Sequence, residues 1–359
     1  MQGAIEGVTR DCLNSVRKWL PDAEIILSTW EGSDARGLDY DILVLSKDPG
    51  GFDFGHPAGK PNNNNRMLLS SQAGLKKASR KYILKLRTDL LIKNRNFLKR
   101  FPVKLKRSEE FKLFEERILV YQIYTLRYEE VDRNPHLRHP RPFHISDWCF
   151  FGLANDVRTM FDVKLAKEPE NSSYFCSLLK QQKPHKFHAI WHLGAQVTWR
   201  MSPEQYLTSE CAKKHFKEIK FDDILDYNDK NIEQSEKFIV NNFFILTPED
   251  FGIINQKPFY LQLKIERDDL CQDGVYTYQS YFNDYKKYCD PSFVIPWKHR
   301  NWVREFGIEY PLSQIKANWS RFFWPVKKIV SWLFIPLSFL KNLFRILIKV
   351  LLYFVRGKR

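Results

Sequence analysis

Arg87, Thr88 and Asp89 interrupt an otherwise apolar segment, KYILKLRTDLLI, at residues 81–92. The run before them is apolar and short, as in a buried strand, so the two charges fall where that strand ends. A carboxylate in this position either holds a divalent cation or caps a turn, and an arginine either binds phosphate or pairs with the carboxylate. The residues alone leave both alternatives open.

Two further carboxylates are suited to proton transfer. Asp147 lies in HISDWCFFG, and Glu204 lies in SPEQYL, where Ser202 and Pro203 predict the start of a helix. A reaction in which a hydroxyl attacks needs such a base to take its proton. The pattern places Asp147 after a strand and before an aromatic turn, where it either serves a site or fixes the loop. His144 is a weaker candidate, because a lone histidine is more often structural.

The elements that must carry these residues alternate along the first half of the chain. DCLNSVRKWLP and MLLSSQAGLKKAS have helical spacing, whereas EIILSTW, YDILVLS and KYILKL are apolar runs of strand length. Apolar strands separated by helices are typical of an α/β fold with a mostly parallel, Rossmann-related sheet flanked by helices.

Ligands bind beyond the carboxyl ends of the strands in such sheets. The first two strands also end in polar residues, and a further polar pair lies at the end of the Asn run that precedes the next predicted helix. We expect a nucleotide pocket at this edge, with ordinary loop structure as the alternative for each residue. The candidates, besides Arg87 and Asp89, are Ser28, Thr29, Glu31, Asp48, Asn65 and Arg66.

The charge of the chain is concentrated at its C-terminal end. Of a net charge of +15, ten positive charges follow Glu309, and no acidic residue does. The longest uncharged run there, Ile329–Leu340, contains Pro336 and is shorter than the roughly 20 residues that cross a bilayer. We therefore expect residues 316–359 to form basic amphipathic helices that lie on an anionic membrane surface. The alternative is a helix that packs on its own domain. The body lacks the basic, aromatic-lined stripe of a nucleic-acid binder.

The remaining features favour the cytoplasm. The first residues, MQGAIEGVTRDC, contain no apolar core of a secretory signal. The six cysteines are scattered and form no close pair of the kind that binds metal, which is typical of reduced, buried thiols.

Five segments in order resemble a known family. LPDAEIILSTWEG, DPGG, NNNNRMLLSSQAGL, KLRTD and HISDWCFFG, within about residues 1–210, look like the WavE lipopolysaccharide-synthesis family and, more generally, the GT-A glycosyltransferases. The resemblance implies a transferase that moves a sugar from a nucleotide-sugar donor to a lipopolysaccharide core or a related surface glycan. Such an enzyme would work peripherally at the cytoplasmic face of the bacterial inner membrane, on a lipid-linked acceptor and without nucleic acid.

The resemblance also assigns roles. In GT-A enzymes an Asp-x-Asp holds a divalent cation on the donor diphosphate, and here Arg87 stands in place of the first acid. Asp89 would then ligate Mn²⁺ or Mg²⁺, or Arg87 would bind the diphosphate directly, so metal dependence is open. His299, in PWKHR, is a weak further metal ligand. Asp147 and Glu204 are the expected catalytic carboxylates, one of which would take the proton of the acceptor hydroxyl if the reaction inverts. Because the first acid of the Asp-x-Asp is absent, the alternative is an inactive GT-A-like protein that binds the membrane surface during surface-glycan assembly.

These inferences divide the chain into a catalytic core at 1–215, an extension of it at 216–315 and the membrane-binding tail at 316–359. In GT-A folds a strand precedes the first helix, yet only Met1 precedes Gln2 and Gly3 here. We therefore expect that the first strand lies upstream of Met1, or that the sheet has a gap.

Overall fold

The computed structural model describes residues 1–52, 61–131, 134–175, 199–255 and 274–296, although not the side chains of residues 130–138. Residues 1–296 form one compact unit. The predicted membrane-binding tail and His299 lie outside the described residues. The boundaries predicted near residues 215 and 315 stay predictions.

Helices and strands alternate in the first third of the chain and then occur in a less regular order. The described helices are α1 (Thr9–Trp19), α2 (Asn64–Lys77), α3 (Ala154–Phe161), α4 (Pro203–His215), α5 (Asp229–Asn242), α6 (Pro248–Phe251) and α7 (Tyr278–Tyr288), with a 3₁₀ helix at Asn96–Arg100. The described strands are β1 (Ile26–Trp30), β2 (Ile42–Ser46), β3 (Tyr82–Leu86), β4 (Leu90–Ile92), β5 (Ile118–Tyr121), β6 (Tyr128–Val131), β7 (Asn134–Pro140), β8 (Cys149–Leu153), β9 (Phe243–Leu246) and β10 (Ile253–Asn255).

The mixed α/β class is confirmed, but the described strands do not form a mostly parallel sheet. The central sheet has the order β3-β8-β5-β9, in which β8 runs antiparallel to both of its neighbours and β5 runs parallel to β9. β1 and β2 form a separate parallel pair, while β4–β10 and β6–β7 are antiparallel. An apolar run of this length indicates a strand, but it does not show in which direction the strand runs beside its neighbours. The GT-A likeness of the sheet stays a prediction.

The first residues of the chain lie between β1 and β3. Gln2 donates its backbone N–H to Leu86 O at 2.8 Å and accepts from Thr88 N at 3.1 Å, while Met1 O accepts from Ser28 N at 2.9 Å. Gln2 thus forms one parallel bridge with Ser28 of β1 and another with Arg87, which follows β3. These few residues therefore join the β1–β2 pair to the central sheet, between the middle of β1 and the carboxyl end of β3.

One large hydrophobic core contains residues from both before and after residue 215. It includes Leu13 of α1, Leu119 of β5, Phe151 of β8, Ile245 of β9 and Tyr281 of α7. Because strands and helices from before and after residue 215 share the core, the Arg87–Asp89 region is held by segments far apart in the sequence.

Candidate active site

The Arg87–Asp89 pair lies immediately beyond β3. Arg87 donates from Nε to Oδ1 of Asp89 at 3.0 Å and from a terminal nitrogen to Oδ2 at 2.6 Å. The Asn255 amide also donates to Oδ2, at 3.3 Å. The Asp89 side chain is only 4% exposed, whereas that of Arg87 is 23% exposed. The carboxylate is thus a buried anchor, and the guanidinium is the more accessible partner.

An aromatic cluster supports Arg87. Leu86 pairs with Cys149 across the sheet, so the next residues, Arg87 and Trp148, are neighbours beyond the strand ends. The guanidinium carbon lies 4.9 Å from the Trp148 ring centre, close enough for a cation–π contact. Trp148 in turn stacks on Tyr121 at 5.9 Å and lies 5.3 Å from the Tyr124 ring. Packing against these two tyrosine rings fixes the tryptophan, and therefore the plane on which Arg87 rests.

Asp147 lies next to Trp148, in the loop that leads into β8. The prediction that it follows a strand is therefore wrong, as is the aromatic turn, because Gly152 lies within β8. Phe143 and Ile145 precede Asp147 and Trp148 follows it, so the pattern did not show on which side of Asp147 the strand lies. The buried Lys85 Nζ donates a hydrogen bond to the Asp147 backbone oxygen, and this contact fixes the loop.

Lys85 is a buried cation within β3. Its Nζ lies 5.6 Å from the Phe150 ring centre and 5.4 Å from that of Phe161. Burial lowers the pKa of Lys85 to about 8, although the nearby charge of Asp147 opposes that change. The lysine therefore places a positive charge beneath the Asp147 loop.

Glu204 lies in the first turn of α4, where its carboxyl group interacts with the charge of Asp147. Ser202 caps this helix by accepting from Gln205 N, and Pro203 occupies the first turn as the sequence predicts. Burial, followed by the charge of Asp147, raises the pKa of Glu204 to about 7, while Arg87 acts in the opposite direction. A carboxyl group with this pKa can hold or release a proton near neutral pH.

His144 borders Glu204 but is not the titrating group. Its Nε2 lies 4.0 Å from a Glu204 carboxylate oxygen, and its Nδ1 lies 2.9 Å from the Tyr124 backbone oxygen. Because that oxygen only accepts, Nδ1 carries the hydrogen. Burial and the charge of Arg141 lower the pKa of His144 to about 3, so the ring is neutral near pH 7. Nε2 then presents a lone pair towards Glu204.

The other predicted residues lie at the ends of β1 and β2 or in α2, and their contacts hold the local structure. Ser28 donates to Ser70 O at 2.7 Å, and Thr29 Oγ1 lies 3.4 Å from Ser33 Oγ. Glu31 is exposed. Asp48 pairs with Arg66 at 2.7 Å, and the Asn65 amide exchanges two hydrogen bonds with the backbone of Ala166. The structure thus groups Arg87, Asp89, Asp147 and Glu204, and the pocket role of the other six residues stays a prediction.

Three supporting residues escaped the sequence reasoning. Lys85 is a charged residue inside the apolar run KYILKL, and this exception was a usable signal. Trp148 directly follows Asp147, but an aromatic residue beside a strand most often belongs to the core. Asn255 lies 166 residues from Asp89, and nothing local marks it as a partner.

The donor set does not fit a cation held in the Asp-x-Asp manner. Both Asp89 oxygens accept hydrogen bonds from Arg87, and one also accepts from Asn255. Within the described ranges, no group of three or more His, Cys, Asp or Glu side chains is arranged to hold a metal ion. A hard divalent cation requires several oxygen ligands directed towards it. No step of the reaction is therefore assigned to a metal.

A family model described as WavE lipopolysaccharide synthesis matches residues 1–309. The chain belongs to the WavE family. This confirms the resemblance found in the five sequence segments and associates the protein with lipopolysaccharide synthesis. No curated protein and no solved structure matches the chain. Among the described helices of this WavE protein, none has the length and apolar character needed to cross a membrane.

Proposed function

We propose that this WavE protein is a glycosyltransferase that moves a sugar from a nucleotide-sugar donor to a lipopolysaccharide core or a related surface glycan. The observation that carries the proposal is the Asp147–Glu204 pair. Burial, followed by the charge of Asp147, raises the pKa of Glu204, whose side chain is 15% exposed, to about 7. The family match supports the same biosynthetic setting. Arg87 lies within the electrostatic reach of Glu204, so an anion-binding group borders the proposed base.

The chemistry asked of Glu204 is the removal of one proton. The acceptor hydroxyl gives its proton to the Glu204 carboxylate as the hydroxyl oxygen forms a bond to the anomeric carbon of the donor sugar. The bond from that carbon to the diphosphate oxygen breaks, and the nucleoside diphosphate leaves with the electron pair. A base with a pKa close to the working pH combines a useful ionised fraction with sufficient strength, and such catalysis contributes about 10²–10⁴-fold in rate.

Asp147 acts through its charge on Glu204. The negative charge of Asp147 opposes the ionisation of Glu204 and so contributes, after burial, to the raised pKa of Glu204. The Lys85 hydrogen bond fixes the Asp147 backbone, and the Ser202 cap fixes the start of the helix that carries Glu204. The two acids are therefore held by different elements, and their separation depends on both.

We propose that the reaction takes place at the cytoplasmic face of the inner membrane. A lipid-linked glycan is confined to the bilayer, and a basic amphipathic segment binds anionic lipid headgroups. We propose that residues 316–359 supply this attachment. A protein lacking residues 321–359 should move from the membrane pellet to the supernatant, and a truncated protein that still sediments without aggregating contradicts the attachment.

Complementation of a deletion strain tests the transferase directly, because it does not require the donor sugar to be identified first. The deletion should remove one sugar from the surface glycan, as measured by composition and linkage analysis. At limiting expression, wild type should restore that sugar, and Glu204→Gln should restore less than about a tenth of it, in line with the loss of a general base. Glu210→Gln is the matched control, because Glu210 lies on the same helix but pairs with Lys213. Full restoration by Glu204→Gln would instead favour the non-catalytic role in glycan assembly.

A further inference from the structure

The Arg87–Asp89 pair occupies the place of a metal-binding Asp-x-Asp, and what it binds can be inferred if the proposed function holds. In such a site, two carboxylates hold a divalent cation that offsets the charge of the donor diphosphate. Here Arg87, a cation, occupies the first position, and both oxygens of Asp89 at the second position accept hydrogen bonds from it. The two short contacts, at 3.0 and 2.6 Å, form the parallel arrangement that is typical of a strong arginine–carboxylate pair.

Asp89 is poorly placed to ligate a metal. A carboxylate ligand must direct a lone pair at the cation, yet hydrogen bonds from Arg87 approach both of its oxygens. The Asn255 amide hydrogen also points at Oδ2, and its positive end would repel a metal ion there. At 4% exposure the carboxylate is turned away from solvent. Asp89 therefore acts as a counter-ion that orients Arg87.

Arg87 has the properties of a fixed anion-binding group. Asp89 holds one edge of the guanidinium, and the Trp148 ring supports its plane at 4.9 Å. The side chain is nevertheless 23% exposed and lies at the carboxyl end of β3. Guanidinium groups match phosphate oxygens in planar, paired hydrogen bonds, and a group that is already fixed loses little entropy on binding.

The Arg87–Asp89 pair can attract an anion because Arg87 is more exposed than Asp89. The pair has no net charge, but the positive partner is the accessible one and the negative partner is buried beneath it. An approaching phosphate thus meets the guanidinium first, and the carboxylate on its far side acts from a greater distance.

We propose that the Arg87 guanidinium supplies the positive charge that a divalent cation supplies in an Asp-x-Asp site, so that this protein binds the diphosphate of its donor without a metal. Arg87 then contacts the leaving group, and Asp89 and Trp148 are positioning residues. The inference rests on the proposed transferase and assigns its donor-binding cation.

Nucleotide binding measured with and without metal tests this inference. The full-length protein is titrated by calorimetry with UDP, GDP, ADP and dTDP, in EDTA and in Mn²⁺. At least one nucleotide should bind, with affinities in the two conditions that agree within about twofold. Binding that requires Mn²⁺ overturns the inference but leaves the transferase standing, whereas no binding by any of the four overturns both.

Three variants assign the effect to Arg87. Arg87→Gln/Asp89→Asn removes both charges together and avoids an isolated buried carboxylate, and it should bind at least tenfold more weakly in either condition. Arg87→Lys keeps the charge without the planar fork and should fall between this variant and wild type. Arg17→Gln is the matched control, because Arg17 is 25% exposed and also pairs with carboxylates, those of Asp39 and Asp41. Unchanged binding by the double variant, with its fold intact by circular dichroism, overturns the inference.

Discussion

The two edges of β3 differ sharply. On one edge, every residue from Tyr82 to Leu86 pairs with β8. On the other, the only bridge in the described part of the chain joins Gln2 to Arg87, just beyond the strand. Arg87 and Asp89 lie just beyond the carboxyl end of β3 and are held by side-chain partners. The residues of β3 that come before them border a cavity on the same edge. Within the described residues, the two halves of this edge of β3 therefore differ in what they contact.

The cavity separates β1 from β3 and has a volume of about 610 Å³. Its lining includes Ile26 of β1, Leu84 of β3, Gly74 of α2 and Phe97 of the 3₁₀ helix, but neither Asp147 nor Glu204. The Met1 amino group enters at one end and donates to Ile26 O at 2.6 Å. Burial, and then the charge of Lys85, lower the pKa of this amine to about 5. The prediction of a gap in the sheet, or of a strand ahead of Met1, stays open to test.

Breaking the ion pair at the exit should have the largest effect on stability. Asp89→Ala leaves Arg87 without its buried counter-ion, and we expect a loss of about 3 kcal/mol in the free energy of unfolding. Asp48→Ala breaks a pair at the neighbouring strand exit whose side chains are 34% and 36% exposed, and it should cost less than about 1 kcal/mol. Urea denaturation measures both. Equal losses would contradict the distinction between a buried anchor and a surface pair.

Filling the cavity should have an intermediate effect in the opposite direction. Five alternating valine and isoleucine residues fused ahead of Met1 would present backbone groups to both bare edges and replace a buried amine with a peptide N–H. We expect a gain of about 2 kcal/mol, seen as a higher melting temperature. A fusion of five alternating glycine and serine residues is the control, and an equal shift for the two fusions would show that the cavity does not accept a strand.

Two adjacent serines of α2 sharpen the comparison at the smallest scale. Ser70 donates to the Gln2 side chain at 2.6 Å, whereas the buried Ser71 hydroxyl, which borders the cavity, has no hydrogen-bond partner among the described residues. Ser70→Ala should cost about 1 kcal/mol, and Ser71→Ala should be neutral or slightly stabilising. Thermal unfolding of both variants provides the measurement. A larger loss for Ser71→Ala would reveal a partner for its hydroxyl.

The sequence revealed the segments better than their arrangement. Apolar runs located β1, β2 and β3, and the Ser202–Pro203 signal located the start of α4, because local spacing and capping determine both. The direction of β8 and the position of Asp147 before it depend on pairing with β3 and β5, which local spacing does not record. The pairing of Arg87 with Asp89 was one of two alternatives that the residues allowed, and its anchors at Asn255 and Trp148 come from distant elements. Long-range packing therefore determined what the motif alone left open.

The pH dependence of transfer tests the central claim, that Glu204 takes the acceptor proton, most directly. With the donor named by the sugar missing from the deletion strain, and the acceptor extracted from that strain, nucleoside diphosphate release is followed from about pH 5 to 9, a range that brackets the ionisation of the base. Because the protonated form of Glu204 is inactive and its pKa is about 7, the wild-type rate should rise about tenfold per pH unit below pH 7 and then level off. Glu204→Gln should lose at least about 10²-fold in rate together with that rise. A Glu204→Gln protein with the wild-type rate and the same pH profile would contradict the account.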